Sequence, residues 1–149
     1  MAKIVYLKEK DFRDIIHILQ NGKFDMKKYL PPVGERWYKV VTECSDYVTS
    51  TSHYEGEANF YDICARLLYK IVKKHELHDG NKRTAVISVY LFCLMNDYLI
   101  LNPEDIKKLA KRIASTKGGD NEIMIRKRIS KSLEGVIFTM EEIKRKYKL

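Results

Sequence analysis

Residues 59–96 read NFYDICARLLYKIVKKHELHDGNKRTAVISVYLFCLMN. Phe60, Ile63, Cys64, Leu67, Leu68 and Ile71 recur at helical spacing, which predicts an amphipathic helix beginning near Asn59 and running into His75. From about Asn81 to Asn96 the residues are apolar nearly all round (Val86, Ile87, Val89, Tyr90, Leu91, Phe92, Leu94), the pattern of a central buried helix. Between the two helices stands a short polar loop, His75 to Gly80. One amphipathic helix, a polar loop and one buried helix set the fold class as all-α.

The flanks agree with that class. Phe12, Ile15, Ile16 and Leu19 share one face of a first helix that stops at Asn21-Gly22. Pro31-Pro32 breaks the chain, and Val33 to Val41, with Trp37, Tyr38, Val40 and Val41, fits either a short hairpin or a helix start. A polar stretch from Ser45 to Asn59 follows. Asn102-Pro103-Glu104 supplies an N-cap, a proline at N1 and a first-turn acid for a helix carrying Ile106, Leu109 and Ile113. A further helix is expected from about Asp120 to Glu134, and Thr139 to Glu142 has the form of a capping box for a last basic helix. There is no repeat or linker, so residues 1–149 are expected to form one domain.

Hydrophobic residues at 45% and charged residues at 32% are the balance of an ordinary globular protein, which argues against a disordered or fibrous chain. The longest apolar run, Ala85 to Met95, is well short of the roughly 20 residues a membrane span needs. The N-terminus has no signal-peptide core, so a cytoplasmic, non-membrane protein is expected. Cys44, Cys64 and Cys93 lie far apart and read as reduced core thiols. The net charge of +8 is spread along the chain among acids, which favours a triphosphate or an acidic protein over nucleic acid as the partner.

The chemistry concentrates in His75-Glu76-Leu77-His78-Asp79-Gly80-Asn81-Lys82-Arg83-Thr84. A helix N-terminus offers unpaired N–H groups and partial positive charge, so the backbone around Gly80 to Lys82 can cradle an anion. Lys82 and Arg83 add full positive charge at an end where the helix dipole disfavours it, a conflict that an anion resolves. Asp79 is a hard oxygen ligand of the kind magnesium takes alongside phosphate oxygens. His75 titrates near neutral pH and can take the proton of an attacking hydroxyl.

This segment resembles the signature of the Fic/Doc family: a histidine, an apolar anchor two positions on, Asp-Gly-Asn, glycine or lysine, then arginine. The flanking HYEGEANFYDICARLLYKIVKKH and TAVISVYLFCLMNDYLI are also similar to helices of Doc-like members, so the likeness covers about half the chain. Many members have proline and phenylalanine where Glu76 and Leu77 stand. Members that transfer AMP typically have glycine at the position of Lys82 and a second arginine at that of Val86. Asn81-Lys82-Arg83-Thr84-Ala85 instead resembles the Doc (death-on-curing) toxin branch.

The resemblance implies a compact helical domain that uses ATP or another nucleoside triphosphate, with Mg, to phosphorylate a hydroxyl of a target protein, such as a translation factor. His75 would be the base, Asp79 the Mg ligand, and Gly80, Asn81, Lys82 and Arg83 the phosphate binders; Thr84 looks structural. It also implies a β-hairpin flap for the target peptide, for which Val33 to Val41 is the candidate. Many members are restrained by a helix bearing Ser or Thr, three residues, then Glu-Gly or Glu-Asn. The matches at Thr51 to Gly56 and Ser130 to Gly135 are read as chance, leaving a separate antitoxin as the expected inhibitor. The alternatives are AMP transfer, a His-Asp metal phosphohydrolase using His78-Asp79 with His53 and Asp97, and a non-catalytic basic binding module.

Overall fold

The structure is a computed structural model that describes residues 4–21, 33–54, 59–74, 81–117 and 121–148. In chain order the elements are α1 (Glu9–Asn21), α2 (Glu35–Tyr54), α3 (Phe60–Val72), α4 (Asn81–Met95), β1 (Tyr98–Ile100), α5 (Pro103–Ala114), α6 (Glu122–Leu133), β2 (Ile137–Thr139) and α7 (Met140–Tyr147). The all-α reading holds. Among the described residues the strands make one small antiparallel sheet, with Tyr98 opposite Thr139 and Ile100 opposite Ile137.

α4 is the axis of the fold. Nine of its residues are buried, from Thr84 to Cys93, and it packs against α3, α5 and β1. A helix this apolar has no solvent face to spare, so its neighbours must enclose it. α3 lies alongside, burying Phe60, Ile63, Cys64, Leu67, Leu68 and Ile71, the residues whose spacing defined the helix. Its N-terminus is a capping box: Asn59 Oδ1 accepts from the Asp62 N–H at 2.9 Å, and Asp62 Oδ2 accepts from the Asn59 N–H at 3.1 Å. The Ser130 hydroxyl donates to Asp62 Oδ1 at 2.6 Å, which ties this cap to α6. At the other end Lys73 Nζ donates to Thr116 O at 3.0 Å, just beyond α5. α3 is thus fixed at both ends.

α2 departs from the sequence reading twice. The Val33 to Val41 segment is not a hairpin flap, because from Glu35 onward it is helical, with Trp37, Val40 and Val41 buried at i, i+3 and i+4. The polar stretch from Ser45 is also helical as far as Tyr54. Its hydroxyls bond within the turn instead of competing for the backbone: Thr49 Oγ1 donates to Ser45 O and Thr51 Oγ1 to Tyr47 O. Ser45 Oγ donates to Leu7 O at 2.6 Å, and Val48 packs into the core.

The other helix ends follow their sequence signals. Asn102 accepts from the Glu104 N–H with Pro103 at N1, Thr139 and Glu142 form the expected capping box, and Glu134 caps α6. Gly22 and the prolines at 31 and 32 lie outside the described residues. The three cysteines are buried free thiols, and the Cys64 thiol is pushed well up by burial and by contact with Cys93. No described helix is long and apolar enough to cross a membrane.

Candidate active site

His75, His78, Asp79 and Gly80 lie outside the described residues, so what the structure shows is the frame around them: the end of α3, the first turn of α4, and what holds each in place. Asn81 opens α4, and its Nδ2 donates to Lys74 O at 2.7 Å and reaches Val72 O at 3.4 Å. The last carbonyls of a helix lack partners within it, so this amide closes the C-terminus of α3 onto the N-terminus of α4. With its side-chain N–H groups turned to those carbonyls, any phosphate contact from Asn81 falls to its backbone N–H. Asn81 Oδ1 is buried with no hydrogen-bond partner among the described residues.

Lys82 is exposed and Arg83 is partly exposed. The first turn of α4 contains no acid of its own, and both cations stand at the positive end of the helix dipole. Thr84 points the other way. It is fully buried, and its Oγ1 accepts from Trp37 Nε1 at 2.9 Å.

Behind that bond lies a further set of contacts. Trp37 meets Phe12 and Tyr38 edge-on, with ring centroids 6.0 and 5.2 Å away. The Arg13 guanidinium lies 4.2 Å over the Tyr38 ring and grips Glu35 with both nitrogens, at 3.1 and 2.8 Å. Arg13 holds the Glu35 carboxyl below its usual range, first by hydrogen bonding and then by charge. The Tyr38 phenol is pushed up by its partial burial. α1 and α2 thereby back the first turn of α4 from one side, while Asn81 anchors it to α3 on the other.

Val86, one residue past Ala85, has no exposed surface. An arginine there would have to bury its guanidinium among apolar neighbours. Of the two candidate restraining motifs, Ser130 spends its hydroxyl on Asp62, and Glu134 is an exposed helix cap. Thr51 lies in α2 with its hydroxyl bonded to Tyr47 O, while residues 55 and 56 lie outside the described set.

Of the rival metal set, only Asp97 has a described side chain. Asp97 follows α4, whose 15 residues separate its ends by roughly 22 Å, so it stands far from Asn81 at the other end. No group of three or more metal-ligating side chains occurs among the described residues. The sequence reading missed the Trp37–Thr84 and Asn81–Lys74 bonds. Neither leaves a periodic signal, because each joins residues whose proximity depends on how separate elements pack.

A scan against protein-family models matches residues 6–93 to the Fic/DOC family. The match spans more than half of the chain, from before α1 to near the end of α4. No curated protein matches the sequence.

Proposed function

Because the chain belongs to the Fic/DOC family, whose members are typically transferases that act on proteins and draw on nucleoside triphosphates, we propose that it is a Doc-like protein kinase. Its substrate would be a hydroxyl side chain of a target protein and its co-substrate ATP or another nucleoside triphosphate. The observation that carries the choice is the first turn of α4: two cations, Lys82 and Arg83, with no acid, followed by a sealed Val86.

In this reading the backbone N–H groups from Gly80 to Lys82 hold phosphate oxygens, Arg83 grips them through its fork, and Lys82 acts as a point charge. His75 takes the proton of the target hydroxyl as its oxygen forms a bond to the γ-phosphorus. The bond from that phosphorus to the bridging oxygen breaks, and the diphosphate leaves with the electron pair. Asp79 and the orphaned Asn81 Oδ1, two positions apart, provide hard oxygens that fit Mg. Bound there with the phosphates, Mg would offset their negative charge. Trp37 touches no reacting atom and positions the turn that does, whereas Asn81 both positions that turn through its side-chain N–H groups and would meet the phosphates through its backbone N–H.

The buried Val86 weighs against AMP transfer, since it offers no second cation where AMP-transferring members have one. We further propose that residues 1–149 work as one domain and that a separate antitoxin protein restrains it. The test is incubation with cell extract and ATP labelled at either the α or the γ phosphate, with Mg present. γ label on a protein that disappears in a folded His75→Ala variant supports the proposal. α label assigns AMP transfer instead, and no label from either sinks both.

A further inference from the structure

Three helix ends meet where α3 gives way to the motif segment. α3 ends at Val72 with Lys73 as its cap, α5 ends at Ala114 with Ser115 as its cap, and α4 begins at Asn81. Lys73 Nζ donates to Thr116 O at 3.0 Å, which joins the first end to the second. Asn81 Nδ2 donates to Lys74 O at 2.7 Å, which joins the first to the third. Helix C-termini carry partial negative charge and carbonyls without partners, so two of them brought together need a cationic donor between them. The Lys73 ammonium is that donor. We propose that Lys73 is a positioning residue for the transfer reaction: by clamping the end of α3 to the end of α5, it fixes the point from which the chain enters the segment that carries His75, two residues on. The clamp's part in catalysis rests on the reading of His75 as the base.

Both sides of the clamp are themselves held. The Lys73 N–H donates to Tyr69 O at 3.0 Å and the Lys74 N–H to Ile71 O at 3.1 Å, so the last turn of α3 is closed as far as Lys74. Opposite it, the Thr116 N–H and hydroxyl both donate to Ile113 O, at 3.1 and 2.6 Å, which fixes the residue whose carbonyl takes the ammonium. α5 packs on α3 and α4 through the buried Ile106, Leu109, Ala110 and Ile113, so its end is a firm anchor. Lys73 and Thr116 are both half-buried, where a hydrogen bond from a charged donor is screened less than at open surface. A single attachment, from Asn81, would leave the end of α3 free to pivot about that bond; the second attachment, to a different helix, stops the pivot. Thr116 lies beyond residue 93, so this anchor comes from the part of the chain outside the family match.

The test compares Lys73→Met, which removes the ammonium and keeps the stem, with Lys73→Arg, which keeps a charged donor. In the full chain carrying Lys73→Met, hydrogen exchange read by NMR should accelerate about threefold or more at the Lys74 and Thr116 amides and the Asn81 side-chain amide. Exchange at Leu67 and Val89, within α3 and α4, should stay unchanged and reports folding; if it also rises, Lys73→Gln is read instead. The rate of γ-label transfer to protein in cell extract, followed against ATP concentration with Mg present, should lose about 10- to 100-fold in its maximum. The KM for ATP should change little, because a misplaced base slows the step without weakening nucleotide binding. Lys73→Arg should restore both measurements, and Lys108→Met, which removes a charge from an exposed position of α5, should leave both as they are. Unchanged exchange at Lys74 and Asn81, undiminished transfer by Lys73→Met, or a rise in KM alone overturns the proposal. If the unaltered chain transfers no γ label, the kinase reading fails, and the exchange comparison by itself decides whether Lys73 holds the end of α3.

Discussion

Trp37 Nε1 donates a 2.9 Å hydrogen bond to Thr84 Oγ1, and through it the early part of α2 holds the first turn of α4, immediately after Lys82 and Arg83. Both residues are buried, so neither group can turn to water if the bond is lost. Trp37→Phe or Thr84→Val should each cost about 1–3 kcal/mol, because each leaves the partner group buried and unpaired. The double variant should recover part of that loss, giving a coupling term in a thermal-denaturation cycle. Strict additivity would mean the bond contributes nothing.

Trp37 is the chain's one tryptophan, so its fluorescence reports on the α2–α4 contact without a label. Adding ATP should change its emission if phosphates bind at the turn it touches, and the change should vanish with Lys82→Ala plus Arg83→Ala. Losing charge-assisted contacts worth about 1.5–3 kcal/mol each should weaken nucleotide binding by an order of magnitude or more. Titration at two salt concentrations checks the electrostatic origin, since the weaker affinity is expected at higher salt.

Asn81 Nδ2 reaches Lys74 O and Val72 O, so Asn81→Ala should free the end of α3 from the start of α4. A stability loss of about 1 kcal/mol is expected, small against a large fall in label transfer. Asn81→Asp should fare as badly, because a carboxylate cannot donate to those carbonyls. Transfer that survives either change would remove Asn81 from the positioning role.

Val86→Arg would not create an AMP-transferring enzyme here. The position is sealed, and an unpaired buried charge costs about 3–5 kcal/mol, so the melting temperature should fall by roughly 10 °C. A folded variant of unchanged melting temperature that transfers α label would contradict the packing.

The Arg13–Glu35 pair predicts a pH dependence of definite sign. Glu35 titrates lower in the folded chain than its ordinary value, so its stabilisation is complete above the ordinary carboxylate range and is lost as pH falls through the depressed folded value. The melting curves of the protein and Glu35→Gln should differ slightly at pH 7 and converge in acid. The gap should also shrink in 1 M salt, because both groups are solvent-accessible.

The sequence by itself determined the helices that bury a periodic apolar face. Ile63, Leu67 and Ile71 of α3, the unbroken apolar α4 and the Asn102-Pro103 and Thr139-Glu142 caps are local signals, written within one or two turns. It also placed Lys82 and Arg83 at a helix N-terminus, where the dipole makes two cations unfavourable without an anion. It could not resolve Val33 to Val41, because Trp37, Val40 and Val41 fit either period until it is known what they pack against. Nor could it see that Ser45 to Tyr54 continues the helix, since there the hydroxyls are satisfied by the helix's own carbonyls. Only the tertiary structure joined Trp37 to Thr84, 47 residues away, and Asn81 to the end of α3. Those bonds depend on how separate helices are placed, which no local pattern encodes, and they hold the turn that carries the proposed chemistry.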